Sequence, residues 1–275
     1  MGTQLKLIIL TGSELRHDFM RKAIGLEPSV KIITSYCEGL ERNISQVIDP
    51  NEDGAEQQYR HLAARRESEE DFFGPFVEIT PDQSRPKFIA KGTINDPKYV
   101  EEIINQNPDL IIAYGCSIIK GPLLNVFEGR FLNLHLGLSP YYRGAGTNFW
   151  PLVNGEPEYV GATFMYIDDG IDTGAIVHQI RARMFLGDTP HQIGNRLIAD
   201  CAVQYCGIIR NVDRLRPVAP SACDGKLYKR SDFSVQSVLG LYNAFDNGMI
   251  ESYLQNREAR DVVVPICCNP ILRTD

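Results

Sequence analysis

Two short, largely apolar runs constrain this chain more than any other feature: LKLIIL at 5–10, interrupted only by Lys6, and LIIAY at 110–114. A strand with one face in water alternates apolar and polar residues, whereas a strand covered on both faces reads as a continuous apolar run. Runs of this kind belong to a parallel sheet sandwiched between helices. After the first run, Thr11-Gly12 reads as the strand end and Ser13 as the cap of a helix from about Glu14 to Ile24, stopped by Gly25. KIITSY at 31–36 reads as a second strand. Strand, turn, helix and strand in this order open a doubly wound α/β sheet, whose ligands bind beyond the carboxyl ends of the strands. The turn TGSELRH matches neither the dinucleotide-binding glycine pattern nor a P-loop.

The remaining elements follow from punctuation and period. Residues 52–73 are charged helix formers ended by Gly74-Pro75; they read as a solvated face, or as a substrate-side helix offering Arg60, His61 or Arg65 to a phosphate. Asp96-Pro97 opens a helix that Pro108 closes, LIIAY follows as a central strand, and a short helix over 118–127 leads to the strand carrying Asn133 and His135. Residues 159–168 and 174–183 read as strands, and Asp188-Thr189-Pro190 caps a helix to about Arg210 with Ile193, Leu197, Cys201 and Ile208 near one stripe. Past Pro217 come turn residues, the segment GKLYKRSDF and a helix over 235–253. A chain of 275 residues fits one main domain, 1–215, with a small C-terminal extension, 216–275.

Composition narrows the partners. The net charge of −7 disfavours nucleic acid, whose affinity leans on Lys and Arg contacts to phosphates. Seven cysteines, at 37, 116, 201, 206, 223, 267 and 268, are odd in number and form no C-x-x-C pair. With no secretory leader ahead of them, reduced thiols in the cytoplasm are expected. No apolar run approaches the roughly 20 residues that a membrane span needs.

The chemistry concentrates in FLNLHLGLSPYYRG at 131–144 and DDGIDTGAIVHQ at 168–179. Asn133 and His135, two apart on a strand, point the same way, and Asp172 lies in a turn further on. An amide and an imidazole can donate to an oxyanion while a carboxylate takes a proton from an attacking amine, which is the equipment of acyl transfer. A second reading makes Asn133 and His135 a hydrogen-bonded pair closing a strand. Asp168, Asp169 and Asp172 also bring oxygen ligands together, but without the spaced ligands of a calcium loop, so no metal is expected.

The order Asn-x-His, a Pro, an aromatic-Arg-Gly turn, a strand and an acidic loop ending in Asp-Thr-Gly resembles the folate-dependent formyltransferases from about Asp109 to Gln179. DLIIAYG at 109–115 resembles the strand that enters their folate site. The resemblance implies a Rossmann-like core with Asn133, His135 and Asp172 catalytic and Thr163 in support. It implies 10-formyltetrahydrofolate as formyl donor, held by Tyr114, Gly115, Ser117, Ile118, Asp168, Asp169, Gly170 and Ile171. Tyr142, Arg143 and Gly144 resemble the turn facing the amine substrate, and Arg16 and His17 join them from the end of the first strand. One departure stands out: the family reads His-x-Ser-Leu-Leu-Pro, and here His135-Leu136-Gly137-Leu138-Ser139-Pro140 places the hydroxyl two residues later.

The family acts on several amines. Its methionyl-tRNA members carry a basic C-terminal barrel unlike the residues after Pro217, its glycinamide ribonucleotide members lack the charged insert at 52–73, and the related hydrolases carry an N-terminal regulatory domain not seen here. A small amine attached to a nucleotide, as in surface-polysaccharide precursors, is the expected acceptor. A homodimer is left open, and a non-catalytic folate or nucleotide binder is the alternative. The intact trio speaks against that alternative, since a binder needs no proton acceptor beside two oxyanion donors.

Overall fold

The computed structural model describes residues 4–39, 45, 48–220 and 225–272. Strands β1 (Leu5–Gly12), β2 (Val30–Glu38), β3 (Pro86–Ile89), β4 (Leu110–Tyr114), β5 (Phe131–His135), β7 (Gly161–Tyr166) and β8 (Ile176–Arg181) form one sheet in the order β3-β2-β1-β4-β5-β7-β8. The first five are mutually parallel, while β7 runs antiparallel to β5 and β8 to β7. β6 (Tyr142–Gly144) and β9 (Lys226–Tyr228) make a separate two-stranded parallel ribbon. The chain builds outward from β1 to β3, then returns to β4 on the other side. The strand order therefore reverses between β1 and β4, the position at which doubly wound sheets bind ligands.

The apolar runs are accounted for by two cores. Leu7, Ile9, Leu110 and Ile112 face helices α1 (Leu15–Gly25), α2 (Ala55–Ile79) and α6 (Pro190–Arg210). Ile8, Leu10, Ile111 and Ala113 face the layer of α3 (Pro97–Gln106) and α4 (Pro122–Val126). Burying an aliphatic side chain of this size stabilises by roughly 1.5–3 kcal/mol, so both faces of these strands hold the sheet in place.

Several elements depart from expectation. α2 continues through Gly74-Pro75 to Ile79. An internal proline costs about 3 kcal/mol, and here tertiary contacts offset it. Phe73 and Phe76 pack against Phe19 at 4.6 and 5.0 Å, and Lys22 donates to the carbonyls of Val77 and Thr80 at 2.6 and 2.9 Å. The short helix expected over 118–127 is confined to Pro122–Val126. The C-terminal helix divides into α7 (Val235–Asp246) and α8 (Met249–Gln255) at Gly248, whose φ of 75° is left-handed. β3, β6 and β9 are too short to show a period. α5 (Trp150–Val153) and α9 (Arg257–Val262) complete the α-helices among the described residues.

Residues after Pro217 pack on the sheet and on α2. Gln179 exchanges hydrogen bonds with the backbone of Cys267 at 2.7 and 2.8 Å, and Val238 of α7 and Phe233 in the turn before it are buried with Ile48 and Ala55. Among the described residues no helix is long and apolar enough to cross a membrane. Cys223 lies outside the described residues, and the other six cysteines are free thiols.

Candidate active site

A cleft of about 710 Å³ opens over the carboxyl ends of β1, β4 and β5. Gly12 and Gly115 lie at its seam, Asn133 and His135 project into it from β5, and the loop from Asp168 to Gly174 between β7 and β8 closes one side. The carboxamide of Asn133 makes no hydrogen bond to any described residue. Its N–H groups are left for whatever enters.

His135 is held on both ring nitrogens. Nε2 lies 3.0 Å from the carbonyl oxygen of Tyr142, and because a carbonyl only accepts, Nε2 carries the hydrogen. Nδ1 lies 3.3 Å from Asp172 Oδ1, while Asp172 Oδ2 accepts the Gly144 N–H at 3.0 Å. A hydrogen on either of these atoms points at the other. The two side chains meet at the cleft wall, within reach of whatever enters. Asp172 has a φ of 54°, an uncommon left-handed backbone for a residue other than glycine. Its two carboxylate contacts hold it there.

Thr163 stands behind this pair rather than in the cleft. Fully buried and in register with His135, its hydroxyl donates to Gly137 O (2.7 Å) and accepts from Ser139 N–H (3.0 Å) and Gln179 Nε2 (2.9 Å). The turn after His135 is thereby fixed. Gly137 itself admits no side chain: a Cβ would fall 2.5 Å from His135 Nε2 and 2.6 Å from Thr147 Cβ. Thr147, whose hydroxyl donates to the Leu136 carbonyl, fills the space that a serine at 137 would need. The displaced hydroxyl, on Ser139, is buried and does not line the cleft.

At the β1/β4 seam the His17 ring fits between two glycines. A Cβ on Gly12 would lie 2.6 Å from His17 Cε1, and one on Gly115 would lie 2.3 Å from Nε2. Nδ1 accepts the Glu14 N–H at 3.1 Å, and burial, with Arg16, Arg65 and Lys91 nearby, pushes the imidazole well below its ordinary range. His17 is therefore a neutral Nε2–H donor. Arg16 bonds to Glu14 and, at 3.0 Å, to Glu69, which Arg65 also grips at 3.0 Å. Burial, and then the neighbouring Arg65, lower the affinity of Arg16 for its proton.

Tyr114, Gly115, Ser117, Ile118, Asp168, Gly170 and Ile171 line the cleft, whereas Asp169 is exposed away from it. Gly144 also lines it, but the side chains of Tyr142 and Arg143 do not. The Tyr142 ring is drawn behind the wall, where its hydroxyl meets Asn154 (2.7 Å) and Glu156. Of the three α2 residues offered to a phosphate, His61 and Arg65 reach the cleft and Arg60 is exposed outside it. Sequence reasoning missed Glu38. This carboxylate, 1% exposed at the end of β2, accepts the N–H groups of Ser117 (2.5 Å) and Gly92 (2.9 Å) and the Lys91 ammonium (3.0 Å), pinning the loop that follows β4. A charged residue closing an apolar strand was the available signal. His61 and His191, with ring centroids 4.6 Å apart and planes tilted by 49°, also line the cleft beside Phe149.

These buried imidazoles make stability depend on acid. Burial pushes His61 down to about 3 and His178 and His191 to about 4. In the unfolded chain each titrates near about 6.5. Below that the unfolded state binds protons that the folded state refuses, so stability present at neutral pH is lost as pH falls. We expect the unfolding free energy to be level above about pH 7 and to decline between about 6.5 and 4, by on the order of 2 kcal/mol per imidazole. Urea denaturation across that range checks this, and His178→Asn should flatten the slope by one proton. A profile unchanged by that substitution would contradict the assignment.

Residues 57–204 match the family model described as Formyl transferase. Methionyl-tRNA formyltransferase of Alkaliphilus oremlandii is 34% identical over 124 residues, 43% of this chain and 39% of the relative. GDP-perosamine N-formyltransferase of Brucella melitensis is 31% identical over 143 residues, 52% of this chain and 55% of the relative. The chain thus spans only 39% and 55% of the length of these curated relatives. Among solved structures, the N-formyltransferase from Helicobacter canadensis, in complex with folinic acid and dTDP-3-aminofucose, superposes with a TM-score of 0.55 at 15% identity, covering 87% of this chain and 81% of that one. At that identity the likeness speaks for the fold.

Proposed function

Because this chain belongs to the formyl transferase family, we propose that it moves a formyl group from 10-formyltetrahydrofolate to the primary amine of a small acceptor, a nucleotide-linked amino sugar. The observation that carries this reading is the approach of His135 Nδ1 to Asp172 Oδ1 (3.3 Å) beside the unengaged amide of Asn133. The folate donor supplies an activated formyl group. Asn133 directs its amide hydrogens at the oxygen on which negative charge develops, where one such donor is typically worth about 100 to 1,000-fold in rate. The His135–Asp172 pair shares one proton, gives it to the departing nitrogen, and is reloaded by the proton that the attacking amine sheds. Gly144, by donating to Asp172, keeps one carboxylate oxygen turned toward the imidazole.

The residues present suit the donor. Ile118 and Ile171, 61% and 48% exposed, put apolar surface at the cleft to meet a flat ring, and Gly115 and Gly170 leave backbone accessible beside them. At the seam, the neutral His17 donor and the Arg16–Arg65 cluster suit an acceptor carrying phosphates. The net charge of −7 disfavours a polynucleotide, and the match to the GDP-perosamine enzyme supports a sugar amine. Incubating the protein with 10-formyltetrahydrofolate and equal concentrations of a nucleotide-linked amino sugar, methionyl-tRNA or glycinamide ribonucleotide tests the choice. The gain of one formyl mass is expected fastest on the sugar. Faster formylation of either other amine replaces the acceptor and leaves the chemistry standing, and formylation of none removes the reading.

A further inference from the structure

The two edges of β6 do different work. On one edge Lys226 N–H donates to the Tyr141 carbonyl (2.8 Å) and Ala145 N–H donates to the Tyr228 carbonyl (2.9 Å), joining β6 to β9. On the other, the Tyr142 carbonyl accepts from His135 (3.0 Å) and Gly144 N–H donates to Asp172 (3.0 Å). Successive peptide groups along a strand point to opposite sides, so the imidazole and the carboxylate stand where a neighbouring strand would pair. Side chains reinforce the ribbon. The Lys226 ammonium reaches the Tyr142 hydroxyl (3.2 Å) and Glu156 (2.8 Å), and Tyr228 stacks on Trp150 at 4.4 Å while accepting from Asn154 (3.0 Å). Gly144, at a φ of 91°, is packed so closely that a Cβ would lie 2.2 Å from the Tyr228 carbonyl oxygen.

We propose that Lys226–Tyr228, which do not line the cleft, are positioning residues: through β6 they set the relative placement of His135 and Asp172 that lets the two share a proton. Outside β9, β6 is anchored mainly at Tyr142, whose N–H donates to Leu138 O (3.0 Å) and whose hydroxyl meets Asn154 (2.7 Å), so β9 is what fixes the Gly144 end. A misplacement of about 1 Å in a catalytic pair can cost on the order of 100-fold.

Three variants of the full chain test this. Lys226→Pro removes both the N–H to Tyr141 and the ammonium, Lys226→Met removes the ammonium alone, and Lys226→Arg conserves the charge. With the acceptor that the wild type formylates, Lys226→Pro is expected to lower kcat about tenfold or more, with KM for both substrates within about twofold. Lys226→Met should fall between it and the wild type, and Lys226→Arg should restore kcat. The kinetic arm rests on the proposed formyl transfer, so a second readout is independent of it. The ring N–H signal of His135 in a 15N-histidine spectrum, assigned against His135→Asn, should be protected from solvent exchange in the wild type and lose that protection in Lys226→Pro. Unchanged kcat together with unchanged exchange, or a loss confined to KM, overturns the proposal. If Lys226→Pro does not fold, the same two readouts on Lys226→Met decide. If the wild type formylates no amine, formyl transfer fails and the exchange measurement still judges the positioning role.

Discussion

Replacing Asp172 by Asn is expected to lower turnover by about 100 to 10,000-fold, the usual worth of a positioned proton acceptor. The size of the side chain is unchanged, and the amide oxygen can still accept the Gly144 N–H that Asp172 Oδ2 accepts at 3.0 Å. What disappears is the shared proton: the amide nitrogen facing His135 Nδ1 donates its own hydrogen and can neither take nor return another. Donor affinity should stay near that of the wild type, so the loss belongs to kcat rather than to folate binding. Single-turnover rates alongside equilibrium binding of a non-reactive folate analogue separate the two. Retention of more than about half the wild-type rate would remove Asp172 from the proton transfer.

Asn133→Ala carries the second large effect. No described residue hydrogen-bonds to this carboxamide, so its removal strands no partner inside the protein and should shift stability little. The cost should appear in kcat, by about 100 to 1,000-fold, because the interaction strengthens as charge gathers on the former carbonyl oxygen. Asn133→Asp is an instructive companion. It preserves shape but substitutes an acceptor for the donor, and should be no faster than the alanine variant. A loss in Asn133→Ala that appears only as weaker donor binding would instead make Asn133 a ground-state contact.

The part of this protein legible in its residues was governed by local patterns. The runs at 5–10 and 110–114 announced strands covered on both faces because alternate residues of each feed separate cores, an arrangement that leaves Lys6, near the strand start, as the one polar position in them. The spacing of Asn133 and His135 put both side chains on one face of β5 for the same geometric reason. Thr189-Pro190 marked the start of α6, whose cap is the Thr189 hydroxyl accepting from Gln192. Gly74-Pro75 misled because a proline's cost is local while the aromatic and lysine contacts that offset it come from α1, far away in sequence.

The sequence by itself determined the fold class, the residues able to perform acyl transfer and the likeness to one family, since each is written in period, in residue type or in order along the chain. Only the tertiary structure decided which of those residues meet. It turned Tyr142 and Arg143 away from the cleft, brought His61, Arg65 and Glu38 to it, and gave the space beside Gly137 to Thr147. It also drew a three-residue strand from beyond residue 225 against the turn that holds His135 and Asp172. Such contacts join segments separated by tens of residues, and strands this short leave no periodic trace. Their partners are chosen by packing space and unpaired backbone groups, which exist only once the sheet has formed.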